Sequence, residues 1–202
     1  FQRMELWEIA PHLDLFHSDR ARLSEIRSVL EDNGISVHCF TPEQVLYPVN
    51  IASGNDAYRG KSVECFLRAA DLCAELGAKY LFLTPGRGYE CESRECAWNH
   101  ALQSLDKITA HAAKLGLRCL LEPLQRTESN IVNDVADLER LWKELNADHV
   151  DLVLDLVAMA TAGDTDGGYF SRFGKRLVHV HVADGTPAGH LAWWDGNLPL
   201  DA

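Results

Sequence analysis

Three residues that commonly bind divalent metal ions stand where short apolar runs of the sequence end. Glu122 ends the run Arg-Cys-Leu-Leu-Glu, Asp155 ends Val-Asp-Leu-Val-Leu-Asp, and His181 ends Leu-Val-His-Val-His. A carboxylate beside a buried run is costly unless it is paired, hydrogen-bonded or bound to a metal. Two carboxylates and one imidazole suit a divalent ion such as Mn²⁺, Co²⁺ or Mg²⁺, with Zn²⁺ also possible. The sequence therefore predicts one metal site formed by these three residues.

The two carboxylates also have ordinary structural interpretations. Asp155 could be the N-cap of a following helix, a common role for an aspartate at the end of a strand. Glu122 could pair with an arginine. His179 shares a strand face with His181 but lies deeper, and we expect it to be a hydrogen-bonded interior histidine. The metal interpretation depends on all three residues occurring together on successive strands.

Short apolar runs alternate with longer amphipathic segments along the chain, which is typical of strands and helices in turn. Strands are predicted at 4–9, 35–40, 79–84, 117–122, 150–155 and 177–182. Helices are predicted at about 18–32 with Ser18 as N-cap, 63–77, 102–115, 134–145 and 169–174, and loops at 41–57 and 183–202. Strands joined by crossover helices are parallel, so their carboxyl ends, and the three candidate ligands, are expected at one mouth.

Two architectures fit this alternation, a doubly wound open sheet and a (β/α)₈ barrel. The first strand–helix turns carry no G-x-G-x-x-G, so a dinucleotide fold has no signature. Charged residues at strand ends favour the TIM barrel, whose active sites are built there. A full barrel takes about 250 residues. We therefore expect residues 1–202 to form a single α/β TIM-barrel domain that lacks the first strand and the eighth βα unit.

Several stretches resemble the xylose-isomerase-like sugar isomerases and epimerases, namely LLEPLQRTESN (120–130), LVLDL (152–156) and LVHVHVADG (177–185). Three stretches most resemble the fructoselysine 3-epimerases and related ketose 3-epimerases: TPEQVLYPVNIA (41–52), EPLQRTESNIV (122–132) and GHLAWWDGNLPL (189–200). The pattern E-P-L-x-x-x-E-S-N is the more specific of these signals, whereas H-x-H-x-x-D is shared by many relatives.

The resemblance implies a metal-dependent epimerase that acts at C3 of a ketose or ketose derivative, such as fructoselysine or psicoselysine. A carboxylate would remove the C3 proton and form a metal-stabilised enediolate. The resemblance implies Glu122 as both a metal ligand and the catalytic residue, with Asp155 and His181 as further ligands. It also implies three substrate-binding residues, namely Glu128, His190 and His12.

The sequence departs from the family pattern at several positions. The family's fourth ligand, a glutamate on the eighth strand, has no counterpart before Ala202, so we expect weak metal binding and poor turnover. Trp194 stands where relatives usually have glycine, and Ala158 replaces a histidine that many ketose epimerases carry. The sequence leaves open another sugar isomerase, an inosose-type dehydratase and a non-catalytic sugar-binding barrel remnant.

The composition restricts the expected partners. Acidic residues outnumber basic ones, 30 to 19, for a net charge of −11 at pH 7. Such a surface repels phosphate backbones, which argues against nucleic acid and against the apurinic-site endonucleases that share this barrel. No apolar run approaches the ~20 residues that span a bilayer, and no export signal is visible. We expect a small-molecule sugar as partner, and the resemblance implies a homo-oligomer.

The cysteines indicate a reducing compartment. Four lie within apolar strand or helix patterns, namely Cys39, Cys65, Cys73 and Cys119. We expect them to be small buried hydrophobic residues in a cytoplasmic protein. Cys91 and Cys96 form a loop pair that could bind a metal adventitiously. The acidic residues around them, Glu90, Glu92 and Glu95, read as solvated surface.

Overall fold

The computed structural model describes residues 1–17, 20–186 and 189–198. The strands are β1 (Arg3–Glu8), β2 (Ser36–Pro42), β3 (Tyr80–Leu83), β4 (Arg118–Leu121), β5 (Val150–Asp155) and β6 (Leu177–His181). The helices are α1 (Arg20–Asp32), α2 (Asp56–Glu75), α3 (Arg94–Lys114), α4 (Val135–Leu145), α5 (Leu156–Ala162) and α6 (Asp166–Phe173). A 3₁₀ turn, Gly174–Arg176, leads into β6. The predicted cap Ser18 lies outside the described residues.

The six strands form one parallel sheet in the order β1-β2-β3-β4-β5-β6. Each strand pairs with its predecessor, as successive right-handed βα units require. The first and last strands nevertheless approach each other, because Oε2 of Glu5 on β1 lies 2.9 Å from Nε2 of His179 on β6. The sheet is therefore curled, and the predicted TIM-barrel architecture is confirmed as six strands around a shared interior.

The central strands β3, β4 and β5 are buried on both faces of the sheet, which explains why most of their residues are apolar. One face packs against the helices, where residues such as Leu81 and Leu152 join the main core. Five side chains form a smaller cluster on the inner face: Cys39, Tyr80, Phe82, Leu120 and Val153. The largest fully buried side chain is Trp98 of α3, whose Nε1 donates a hydrogen bond of 2.6 Å to Glu144.

Two helices differ from the sequence prediction in a way that affects possible sites. Helix α3 starts at Arg94, with Ser93 as its N-cap, rather than near residue 102, so Cys96 is helical. Helix α5 follows β5 immediately, in a stretch where the sequence pattern predicts no helix. All six cysteines are free thiols; Cys39, Cys73 and Cys119 are buried as predicted, whereas Cys65 is only half-buried. Among the described residues, no helix is long and apolar enough to cross a membrane.

Candidate metal centre and substrate cavity

The structure brings the three predicted metal ligands together at the carboxyl ends of neighbouring strands. Glu122 directly follows β4, and Asp155 and His181 are the last residues of β5 and β6. Asp155 and His181 are register partners in the parallel ladder, so their side chains leave the sheet side by side. One donor atom from each of the three residues lies within 4.8 Å of the others. A single cation can therefore contact all three.

Asp155 uses its two carboxylate oxygens for different tasks. Its Oδ1 accepts a hydrogen bond of 2.6 Å from the backbone N–H of Ala158 and caps α5. Its Oδ2 lies 3.3 Å from Nε2 of His190 and 3.9 Å from Nδ1 of His181. The helix-cap and metal-ligand interpretations are thus compatible, because the cap fixes one oxygen and points the other toward the site.

His181 is held between two carboxylates. Its Nδ1 lies 2.7 Å from Oε1 of Glu122, and its Nε2 lies 3.1 Å from Oε2 of Glu5. The imidazole also stacks on the ring of Phe82, with 5.2 Å between centroids and 25° between planes. Contacts at both nitrogens and on one ring face leave the side chain little rotational freedom.

Glu5 is a site residue that the sequence reasoning missed. Besides His181 and His179, its carboxylate accepts a hydrogen bond of 2.5 Å from the hydroxyl of Thr41. His179 is half-buried and hydrogen-bonded, as expected, but its partner is this glutamate. Glu5, His179 and His181 also lie close enough to share a cation. The signal that selected Glu122 was a carboxylate at the end of a predicted strand, whereas Glu5 lies within β1 rather than at its end, so that signal did not mark it.

The titration behaviour of the site differs from that of exposed side chains. Burial raises the pKa of Glu122 to about 7, although the nearby His181 opposes this shift. Burial lowers the pKa of His181, but its hydrogen bonds to Glu122 and Glu5 outweigh burial and raise it to about 10. For Glu5, burial raises the pKa, but hydrogen bonds from His179 and His181 hold it well below its usual range. A carboxyl group with a pKa near neutrality is suited to proton transfer.

A cavity of about 580 Å³ opens above these residues, within the usual size range of small-molecule sites. Five acidic residues line it: Glu5, Glu43, Glu122, Glu128 and Asp155. Trp7, which is 43% exposed, contributes an aromatic wall. Among the described lining residues there is no lysine or arginine. Together with His179, His181 and His190, these residues give the cavity a lining in which acidic groups outnumber basic ones.

Two of the three predicted substrate-binding residues lie at this cavity. Glu128 and His190 line it, and burial raises the pKa of the Glu128 carboxyl. His12 is not among the described lining residues, and its Nε2 lies 2.6 Å from the carbonyl oxygen of Trp7. A contact between His12 and a substrate stays a prediction.

Two similar proteins are sugar 3-epimerases. The chain is 23% identical over 202 residues to fructoselysine 3-epimerase of Escherichia coli O157:H7, an alignment that covers 99% of this chain and 74% of that enzyme. It is 24% identical over 207 residues to D-psicose 3-epimerase of Agrobacterium fabrum, covering 97% of this chain and 70% of that enzyme.

Solved structures share the fold. A D-tagatose 3-epimerase-like protein superposes with a TM-score of 0.85 at 19% identity, covering 98% of this chain and 74% of that one. The D-allulose 3-epimerase of a Methylomonas species, solved with D-allulose, gives a TM-score of 0.80 at 19% identity over 98% and 66% of the two chains. The family model described as xylose isomerase-like TIM barrel matches residues 1–202. The chain therefore belongs to the xylose isomerase-like TIM barrel family.

Proposed function

We propose that this protein is a metal-dependent epimerase that inverts C3 of a ketose or ketose derivative. The observation that carries the proposal is the convergence of Glu122, Asp155 and His181 at the base of one cavity, with donor atoms within 4.8 Å of one another. Among the reactions that this family supports, the relatives named as 3-epimerases favour proton exchange at C3.

The donor set fits a divalent cation. Two carboxylates and one imidazole suit Mn²⁺, Co²⁺ or Mg²⁺, and also accept Zn²⁺. Asp155 has one oxygen outside its helix-cap bond, and Nδ1 of His181 faces Glu122 rather than Glu5. When bound, such an ion supplies Lewis-acid stabilisation of the negative charge that develops on the substrate when C3 loses its proton.

The protein's own residues supply the proton transfer and the orientation. Glu122 is 6% exposed and lines the cavity beside Asp155 and His181, so its carboxylate faces a substrate held there. We assign it removal of the C3 proton. His190 and Glu128 border the cavity where hydrogen bonds to sugar hydroxyls would orient the substrate.

The charge of the cavity indicates the substrate class. A phosphorylated ketose would bring a dianion beside Glu43 and Glu128, which line the cavity outside the proposed metal ligands, with no lysine or arginine among the described lining residues to offset it. A neutral ketose avoids that repulsion. An amino-acid-linked ketose with an ammonium group would gain attraction instead. We therefore propose unphosphorylated ketoses, including amine-linked derivatives, as substrates.

Deuterium exchange at C3 tests the proposal. The protein is stripped of metal with a chelator, reloaded with Mn²⁺, Co²⁺, Mg²⁺ or Zn²⁺, and incubated in D₂O with D-psicose, D-fructose, fructoselysine or D-fructose 6-phosphate. We expect loss of the C3 proton signal by NMR only after metal is restored, and fastest with an unphosphorylated sugar.

The possible outcomes separate the rival functions. Metal binding without exchange on any of these sugars would contradict the epimerase proposal and favour a non-catalytic sugar-binding barrel. Proton loss at C1 instead of C3 would indicate an aldose–ketose isomerase. Preferential exchange on D-fructose 6-phosphate would contradict the argument from cavity charge while leaving the epimerase assignment in place.

A further inference from the structure

A second group of metal-binding side chains lies away from the cavity, at the start of α3. Glu92, Cys96 and His100 each offer a donor atom, and these atoms lie within 4.8 Å of one another. None of the three is among the described residues that line the cavity. The cluster therefore needs an explanation independent of the proposed epimerase site.

Local backbone geometry brings the three side chains together. Cys96 and His100 are four residues apart on α3 and therefore share one helix face. Glu92 lies just before the N-cap Ser93, whose hydroxyl accepts a hydrogen bond of 3.2 Å from the backbone N–H of Cys96. This cap fixes the first turn, so the chain presents Glu92 to the same face of the helix.

Two atoms of the cluster are buried without a partner. Oε2 of Glu92 and Nδ1 of His100 are inaccessible to solvent, and neither has a hydrogen bond among the described residues. Burying a polar atom unpaired costs free energy, and the cost is greatest for a charged oxygen. Two unpaired buried atoms beside the thiol of Cys96 are the arrangement expected where a cation binds between them.

Gly54, in the loop before α2, makes room for the Glu92 carboxylate. A Cβ atom at position 54 would overlap the carboxylate oxygens of Glu92. The absence of a side chain at Gly54 is thus what allows Glu92 to occupy its buried position. The cluster joins the loop before α2 to the first turns of α3.

We propose that Glu92, Cys96 and His100 form a second metal site, for a thiophilic divalent cation such as Zn²⁺. The donor set of one sulfur, one nitrogen and one oxygen is of the kind that Zn²⁺ binds with tetrahedral geometry. It differs from the oxygen-rich set at the cavity, because only the second site offers a thiolate, which favours softer divalent ions. Cys96 is exposed, which leaves a solvent-facing position for water as fourth ligand.

Cobalt spectroscopy distinguishes this site from the cavity site, because only the second site contains a thiol. The purified protein is titrated with Co²⁺, and thiolate-to-cobalt charge-transfer absorption is recorded in the near ultraviolet. We expect the band in the unmodified protein, its displacement by Zn²⁺, and its loss in Cys96→Ser. The control Cys91→Ser removes an exposed thiol outside the cluster and should keep the band.

The outcomes of this titration decide the proposal. Circular dichroism confirms that both serine variants keep the helical fold before the spectra are compared. Absence of the band in the unmodified protein at saturating Co²⁺ would overturn the second site. Retention of the band in Cys96→Ser, or its loss in Cys91→Ser, would also overturn it, because the sulfur ligand would then be another cysteine.

A glycine pair tests the role of Glu92 without altering any ligand. Gly54→Ala places a methyl group where the Glu92 carboxylate lies, and should weaken Zn²⁺ binding at least tenfold in a competition with a chromophoric chelator. Gly60→Ala, in α2 with open space around the new methyl group, should leave the affinity unchanged. Equal affinity in the two variants would contradict the assignment of Glu92 as a ligand.

Discussion

Glu5 and His181 are separated by 176 residues, yet Oε2 of Glu5 lies 3.1 Å from Nε2 of His181. The two residues come from β1 and β6, the first and last strands of the sheet, and they meet because the sheet curls. The other ring nitrogen of His181 faces Glu122. Glu5 can therefore hold the proton on Nε2 and leave Nδ1 as the ligand atom, the usual role of a carboxylate behind a metal-bound histidine.

The first prediction concerns Glu5 as a positioning residue. Glu5→Gln removes the negative charge behind His181 and should weaken Mn²⁺ or Co²⁺ binding at the cavity site by about 10–100-fold. Activity should recover when the metal concentration is raised, since Glu5 acts through the ligand. Calorimetric titration of the metal measures the affinity. Glu64→Gln, on the exposed surface of α2, is the matched control, and equal affinities in the two variants would contradict this role.

The second prediction concerns Glu122 as the proton-accepting group. Glu122→Gln should slow deuterium exchange at C3 by at least about 10²-fold at saturating metal, because general-base catalysis typically contributes a factor of that size or more. The variant should still fold, since burial already favours the uncharged carboxyl. The exchange assay and thermal unfolding provide the two readouts. Glu90→Gln, at a largely exposed side chain, should leave both unchanged; normal exchange by a folded Glu122→Gln variant would refute the assignment.

Much of the fold could be predicted from local sequence patterns. Strand β5 was predicted at its observed bounds, because Val150–Asp155 is continuously apolar apart from Asp151 and its terminal aspartate. Helix α5 was missed because its seven residues, LVAMATA, have no polar face and follow a strand without a turn. Hydrophobic periodicity cannot mark a boundary where both elements are apolar.

The sequence predicted only those site residues that a local sequence pattern marks. Glu122, Asp155 and His181 each end a strand, and the parallel arrangement brings strand ends together. The role of Glu5 depends on a partner from the opposite end of the chain, which no local pattern reveals. The relation of Cys96 to His100 was hidden because α3 was predicted to begin after both residues, near 102.

The third prediction concerns the acid sensitivity of the loop that carries His190. The Asp184 carboxylate accepts hydrogen bonds from the backbone N–H groups of Gly185, Gly196 and Leu198, at 2.8, 3.0 and 3.2 Å. Burial raises the pKa of Asp184, but these bonds outweigh burial and lower it below its usual value. A carboxyl whose pKa is lower in the folded than in the unfolded protein stabilises the fold at pH values above its unfolded pKa of about 3.9. That contribution disappears as the pH falls through the folded-state pKa.

Urea unfolding of Asp184→Asn at pH 7 and pH 3 measures this contribution. The variant should be less stable than the unmodified protein at pH 7, and the difference should shrink at pH 3, where the Asp184 carboxylate loses its advantage. Asp195→Asn, at an exposed position of the same loop, should show no such pH-dependent difference. A constant deficit across this pH range would indicate that the carboxylate charge is not what holds the loop.

The fourth prediction concerns Trp194, whose backbone conformation is one that glycine adopts more readily than other residues. Its φ of 76° lies in the left-handed region, where a residue other than glycine bears about 1–2 kcal/mol of strain. Trp194→Gly should relieve this strain. Glycine also increases the entropy of the unfolded chain, which offsets part of the gain. We therefore expect the free energy of unfolding to rise by up to about 1 kcal/mol.

Trp193→Gly is the control, because it places the same residue type at the neighbouring position, which lacks a positive φ. The two indole rings contact each other edge to face, with 5.6 Å between centroids. Either substitution removes that contact and adds one glycine. The difference between the two free energies of unfolding therefore reflects two things, the backbone conformation at 194 and the unequal burial of the two side chains. Trp194 is 70% exposed and Trp193 is 39% exposed, so Trp194→Gly should be the more stable variant. A Trp194→Gly protein no more stable than Trp193→Gly would mean that the loop accommodates tryptophan without strain.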